Sequence, residues 1–198
     1  VGGGGLSVLR KAGSAFLRGA TSAFRLRIFV FNASVMAVVT APNELLDYVP
    51  PIGVPMTEEE YIRTEGESEF KREFLHGHVY AMSGGQWIHN VIPLNVSRYI
   101  YDCQEAKNCR AASSDTRVRI PGFGFFYPDL VIVCGEPKFD ESINPPSLLN
   151  PAVVMEVLSA STRRYDLMAK RQAYETAASL QELLFVDSKA VWILHLVH

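Results

Sequence analysis

Two nearly continuous apolar runs, Leu130 to Cys134 and Val153 to Leu158, interrupt an otherwise mixed pattern of hydrophobic and polar positions. Runs of this kind form strands covered on both faces. Elsewhere the period varies. Thr57 and Glu60 have the spacing of a capping box and open a short helix through Tyr61 and Ile62, which Gly66 breaks. A second helical piece is expected over 68–75, and Gly77 then turns the chain into a strand over 78–82, rich in β-branched and aromatic residues. Over 87–106, Ile88, Val91, Ile92, Val96, Tyr99 and Ile100 recur at helical spacing, with Pro93 predicting a kink or a late start. The stretch 110–120 alternates as a strand, 163–178 reads as a helix, and 183–186 and 191–197 close as strands. This order specifies a mixed α/β sandwich.

Charge divides the chain in two. Residues 1–43 hold Arg10, Lys11, Arg18, Arg25 and Arg27 and no acid, giving +5, whereas 44–198 carries −7, for a formal net charge of −2 over 198 residues. That balance removes the easy argument for a nucleic-acid binder without excluding a locally basic cleft. The apolar stretch 28–39 is broken by Asn32 and Ser34 and is too short to span a bilayer. The leader resembles a targeting peptide in composition, yet Pro42 follows it awkwardly; the blander reading is a working start at Met36 or Met56. Three prolines and a glycine between Pro50 and Pro55 make a stiff connector. The expected organisation is a poorly ordered basic and apolar extension over 1–50 and one folded domain over 51–198. With 48% hydrophobic and 20% charged residues, a packed core is expected. Cys103, Cys109 and Cys134 show no C-x-x-C spacing and read as reduced thiols in a cytoplasmic protein.

The buried runs carry the chemistry. Asp129 precedes the first and Glu156 lies near the end of the second, so antiparallel pairing would bring both carboxylates to one sheet edge. A carboxylate among Val153, Val154, Met155, Val157 and Leu158 needs a partner, either a divalent cation or an arginine such as Arg117 or Arg119. Lys170, three residues after Leu167 and four before Tyr174, falls on the inward stripe of its helix. It either meets an anion there or pairs with Asp166 in solvent. His76 and His78 would suggest zinc only with a third ligand. His89 reads as a phosphate contact or as part of a polar helix face. Neither a nucleophile elbow nor a phosphate-binding glycine loop is present.

Taken in order, Glu73-Phe74-Leu75-His76-Gly77-His78-Val79-Tyr80-Ala81-Met82, Ser114-Asp115, Tyr127-Pro128-Asp129-Leu130-Val131-Ile132-Val133, Asn150-Pro151, Glu156-Val157-Leu158-Ser159, Ser161-Thr162 and Asp166 with Lys170 resemble the Uma-type restriction-endonuclease family of the PD-(D/E)XK superfamily. The resemblance covers roughly 56–190. It implies an α/β fold with a restriction-endonuclease-like mixed β-sheet flanked by helices, and Mg²⁺-dependent (or Mn²⁺-dependent) hydrolysis of DNA. By it, Asp129 and Glu156 are metal ligands, the Val157 carbonyl a further one, and Glu73 the glutamate of the first core helix. Leu158 stands where the superfamily has its lysine, and Lys170 matches a lysine that has moved to the neighbouring helix, where it would activate water or stabilise phosphate charge. Lys71, Arg72, Arg117, Arg119, Arg163, Arg164 and Arg171 are the candidate DNA contacts. The chain departs from the family pattern at Pro93, at Ala160, and in ending at His198 before further expected strands, which implies a C-terminal truncation. The alternative is a catalytically inactive nucleic-acid-binding or regulatory protein that keeps the nuclease fold. A homodimer is a possible assembly, and no membrane partner is implied.

Overall fold

Thr57 caps the first helix through its side chain, whose Oγ1 accepts the Glu60 N–H at 3.1 Å. The computed structural model describes residues 53–82, 84, 86–102, 108–190 and 193–197; the expected extension and Cys103 lie outside them. After β1 (Val54–Pro55), helix α1 (Glu58–Glu65) buries Tyr61 against Phe74 and Phe125. The next segment corrects the expected second helix: β2 (Arg72–Leu75) is a strand, paired antiparallel with β3 (His78–Ala81). The reason is the turn. His76 and Gly77 both take positive φ, +46° and +78°, the twist that a two-residue hairpin requires and a helix forbids. Glu73 therefore lies on a strand. Alternation sends Phe74 toward Tyr61 and places Glu73 with Leu75 on the opposite face, which meets the main core.

Helix α2 (Trp87–Asp102) starts ahead of Pro93 and runs through it. The remainder of the expected 87–106 helix lies outside the described residues. The expected strand over 110–120 is two strands. A turn closed by Thr116 N–H on the Ser113 carbonyl, at 3.0 Å, separates β4 (Cys109–Ser113) from β5 (Val118–Ile120), and the two enter different sheets. Next come β6 (Gly124–Phe126), β7 (Leu130–Cys134), β8 (Phe139–Asp140), β9 (Ser147–Leu148) and β10 (Val153–Leu158). The expected helix over 163–178 ends at Tyr174 and is made of three pieces: α3 (Arg163–Tyr165), a π-helical turn (Asp166–Lys170) and α4 (Arg171–Tyr174). Strands β11 (Glu182–Asp187) and β12 (Ile193–Val197) close the described chain.

Among the described residues one sheet runs β1-β3-β2-β6-β5-β9-β8 and the other β12-β11-β10-β7-β4. The second is mixed: β10 is antiparallel to β7 and parallel to β11. Its one face packs on α2 through Met155, Val157 and Ile132. Its other face joins the first sheet and the broken helix in the main core, around Phe126, Val131, Val154, Leu158, Tyr174 and Phe185. Cys109 and Cys134 face each other across β4 and β7 and form a disulfide, correcting the expected free thiols. The 25-residue separation hid this pair; strand register makes it. No described helix is long and apolar enough to cross a membrane.

The approach of β6 to β2 has no room for a side chain at Gly124. A Cβ there would stand 1.8 Å from the Phe74 carbonyl oxygen. Gly124→Ala must separate the strands that hold Phe74 and Glu73, and is expected to cost on the order of 3 kcal/mol. Urea unfolding checks this; a midpoint equal to the parent's at unchanged slope would contradict it.

Candidate active site

Side chains along β10 alternate between the two cores: Val153, Met155 and Val157 turn to the α2 side, and Val154 and Leu158 to the main core. Glu156 goes with the latter and is 3% exposed. The register that sets Met155 opposite Leu130 sets Asp129 beside Glu156, where the β7–β10 ladder ends. Beyond that end, the Asp129 side chain supplies the acceptor that backbone no longer offers: Oδ2 receives the Val157 N–H at 2.7 Å. The same oxygen contacts His89 Nε2, from α2, at 3.0 Å. Peptide groups point alternately to either side of a strand. The Leu158 carbonyl accepts Ser188 N–H on the β11 side, at 3.2 Å, so the Val157 carbonyl is directed to the Asp129 side.

Lys170 comes from the π-helical turn and is also 3% exposed. Its Nζ lies 2.7 Å from Glu156 Oε1, 2.9 Å from Glu73 Oε1 and 3.6 Å from Asp166 Oδ1. Tyr174, four residues on, donates its hydroxyl to Glu156 Oε1 at 2.7 Å. Glu73 Oε1 also accepts the Tyr127 N–H at 3.0 Å, which ties β2 to the segment leading into Asp129. A π turn carries an extra residue within the helix, a device common at functional sites. Here it accompanies Asp166, Lys170 and Tyr174 as they meet the same cluster.

One ammonium faces Glu73, Asp129, Glu156 and Asp166, an excess of negative charge in a buried place. Burial pushes the Glu156 carboxyl well above the usual carboxylate range, with Lys170 pulling against it. Burial likewise raises Asp129, opposed by the Val157 N–H and by Lys170. For Lys170, burial acts to lower the value, and the attraction of Glu156 and Glu73 carries it well above ordinary lysine. The raised carboxyls relieve part of that charge by holding protons more tightly. Among the described residues no three or more His, Cys, Asp or Glu side chains form a ready metal cage. Two carboxylates and one carbonyl remain, a hard oxygen set that suits a small divalent ion keeping several waters. By this test the residues fit Mg²⁺. Asp129 also lines a cleft of about 360 Å³ between α2 and β4, shared with His89, Asn90, Leu94, Ser97 and Ser113.

Burial raises Asp166 from 3.8 to about 6. Its folded form therefore binds the proton more tightly than the unfolded chain. The stabilisation this gives is complete below pH about 4 and is lost as pH rises through about 6. Asp166→Asn is expected to flatten this decline in metal-free protein, as read from urea midpoints between pH 4 and 7. Equal declines in parent and variant would contradict it.

The arginine partners considered for the two acids are engaged elsewhere. Arg117 is buried over the Tyr61 and Phe125 rings, with Nε on Ser147 Oγ at 2.7 Å, and Arg119 binds Glu58 and Asp140. Of the other basic candidates, Lys71 pairs with Asp115, Arg72 with Glu65, Arg163 with Asp187 and Arg171 with Glu175. His78 Nδ1 contacts the His76 carbonyl, and no zinc grouping is found among the described residues. Sequence reasoning underrated His89, Asp166 and Tyr174. The four-residue spacing of Asp166, Lys170 and Tyr174 was the available signal for the last two; for His89 there was none.

Comparison with known proteins bears on this geometry. Residues 58–197 match the Uma2 family model, described as a putative restriction endonuclease. Two uncharacterised proteins of Synechocystis are each 32% identical to the chain, one over 133 residues (67% of this chain, 75% of the relative) and one over 139 (70% and 72%). The crystal structure of a putative nuclease belonging to DUF820 from Anabaena variabilis superposes with a TM-score of 0.53 at 16% identity. The match covers 73% of this chain and 86% of that one, a likeness of fold.

Proposed function

The chain belongs to the Uma2 family of restriction-endonuclease relatives and has a nuclease-like α/β fold, and on that premise we propose that it is a Mg²⁺-dependent endonuclease that hydrolyses phosphodiester bonds of DNA. The observation that carries this reading is the β7–β10 register, which makes Asp129 and Glu156 neighbours just past the Met155–Leu130 pair, with Asp129 lining the α2–β4 cleft. Asp129, Glu156 and the Val157 carbonyl would hold the ion. When bound, Mg²⁺ supplies charge neutralisation at the scissile phosphate and a water of lowered pKa. Glu73 and Lys170 act through Glu156. The Lys170 ammonium binds both carboxylates, so it ties Glu156 of β10 to Glu73 of β2 and lowers the cost of keeping Glu156 ionised. Tyr174 adds a second donor to the same oxygen.

Nicking of supercoiled plasmid tests the proposal. Conversion to open circles is expected with Mg²⁺ or Mn²⁺ and is expected to stop in EDTA. Activity unchanged by EDTA defeats the metal reading. Absence of activity together with no Mn²⁺ binding by calorimetry favours the silent relative that keeps the fold.

A further inference from the structure

We propose that His89 is the positioning residue for Asp129: it turns the carboxylate so that Oδ1 is left for the cation. The proposal rests on the reading of Asp129 as a ligand. His89 Nε2 and the Val157 N–H both meet Oδ2, at 3.0 and 2.7 Å, so one oxygen carries both contacts. Two donors from different directions on one oxygen restrict rotation of the carboxylate far more than either alone. They come from two different elements, the Val157 N–H from strand β10 and the imidazole from helix α2.

The helix has a reason to be tied there. Pro93 stands four residues after His89 and has no N–H, so the usual α-helical bond to the His89 carbonyl is missing. The first turn of α2 is thus less firmly bonded to the rest of the helix, and the His89 side chain anchors it to the sheet at Asp129. Side-chain exposures of 16% for His89 and 19% for Asp129 shield the contact without sealing it. Both residues line the cleft, so a bound ion would be open to a ligand there. Hydrogen-bond partners of metal ligands orient those ligands, and their loss weakens metal affinity. Here the oriented ligand is a carboxylate.

The experiment uses the full chain and two readouts. In metal-free protein, nitrogen-detected NMR should show a His89 Nε2–H protected from solvent exchange, and Asp129→Ala should abolish that protection. In Mn²⁺ titrations, His89→Ala and the ring-retaining His89→Phe should weaken binding about 10- to 100-fold, and His89→Gln, which can still donate, should recover most of it. Circular dichroism identifies any variant that fails to fold, and the NMR readout on the parent needs no variant. An unprotected ring N–H overturns the proposal, as does Mn²⁺ affinity unchanged in a folded His89→Phe. A parent that binds no Mn²⁺ overturns the ligand reading of Asp129 and this proposal with it. Unchanged His89→Phe affinity in a parent that does bind overturns the role of His89 alone.

Discussion

Asp129→Ala is expected to reduce Mg²⁺-dependent plasmid nicking by on the order of 10³-fold, the scale seen when a group that stabilises charge in a transition state is removed. The change deletes the carboxylate proposed as a metal ligand, on a residue that lines the cleft. It also strands the Val157 N–H and breaks the contact with His89. Asp129→Asn separates the two effects. The amide oxygen still accepts from Val157 and His89, so folding stability should stay near the parent's, while the lost charge still removes activity. Urea unfolding and nicking rate measured on the same preparations check this. Equal nicking by Asp129→Ala would remove the hydrolytic assignment.

Lys170→Met is expected to produce the largest loss of stability at the site. The side chain is close in volume, so packing changes little, but Glu73, Glu156 and Asp166 lose their shared counter-charge inside the protein. Breaking a buried pair by removing one partner costs about 3–5 kcal/mol. The sign with pH follows from the raised carboxyls. At low pH they take up protons and tolerate the loss; as pH rises they must ionise without a partner, so the penalty grows. The double variant Glu73→Gln with Lys170→Met should recover part of the stability, since it removes one uncompensated charge. Chemical denaturation of both at pH 5 and pH 8 provides the measurement. A penalty that shrinks toward high pH would contradict the cluster's electrostatics.

Much of this site was legible from residue order. The two nearly continuous apolar runs, five and six residues long, rich in valine and bounded by turn residues, suit doubly covered strands, although the second includes Glu156. Once they pair antiparallel, the register places Asp129 and Glu156 next to each other across the two strands, just past the Met155–Leu130 pair. Lys170 was placed on the inward stripe by helical spacing, and it is buried there. Glu73 was named, but on the wrong element. Residues 68–75 are too short and too mixed for periodicity to decide between helix and strand, and the His76–Gly77 turn decided it. The break between β4 and β5 was missed for the same reason: alternation continues across a turn that only pairing partners reveal.

Chain order by itself determined which residues are apolar in runs, which acids sit at the ends of those runs, and that a lysine shares a helix face with Tyr174. Those follow from local steric and solvation preferences, which each segment carries alone. Tertiary structure decided the remainder: that Glu73 points from another sheet at the same ammonium, that Cys109 meets Cys134, and that His89 reaches Asp129 from 40 residues away. Each of these depends on the relative placement of distant elements, which is set by packing both cores at once and leaves no mark in the spacing of neighbouring residues.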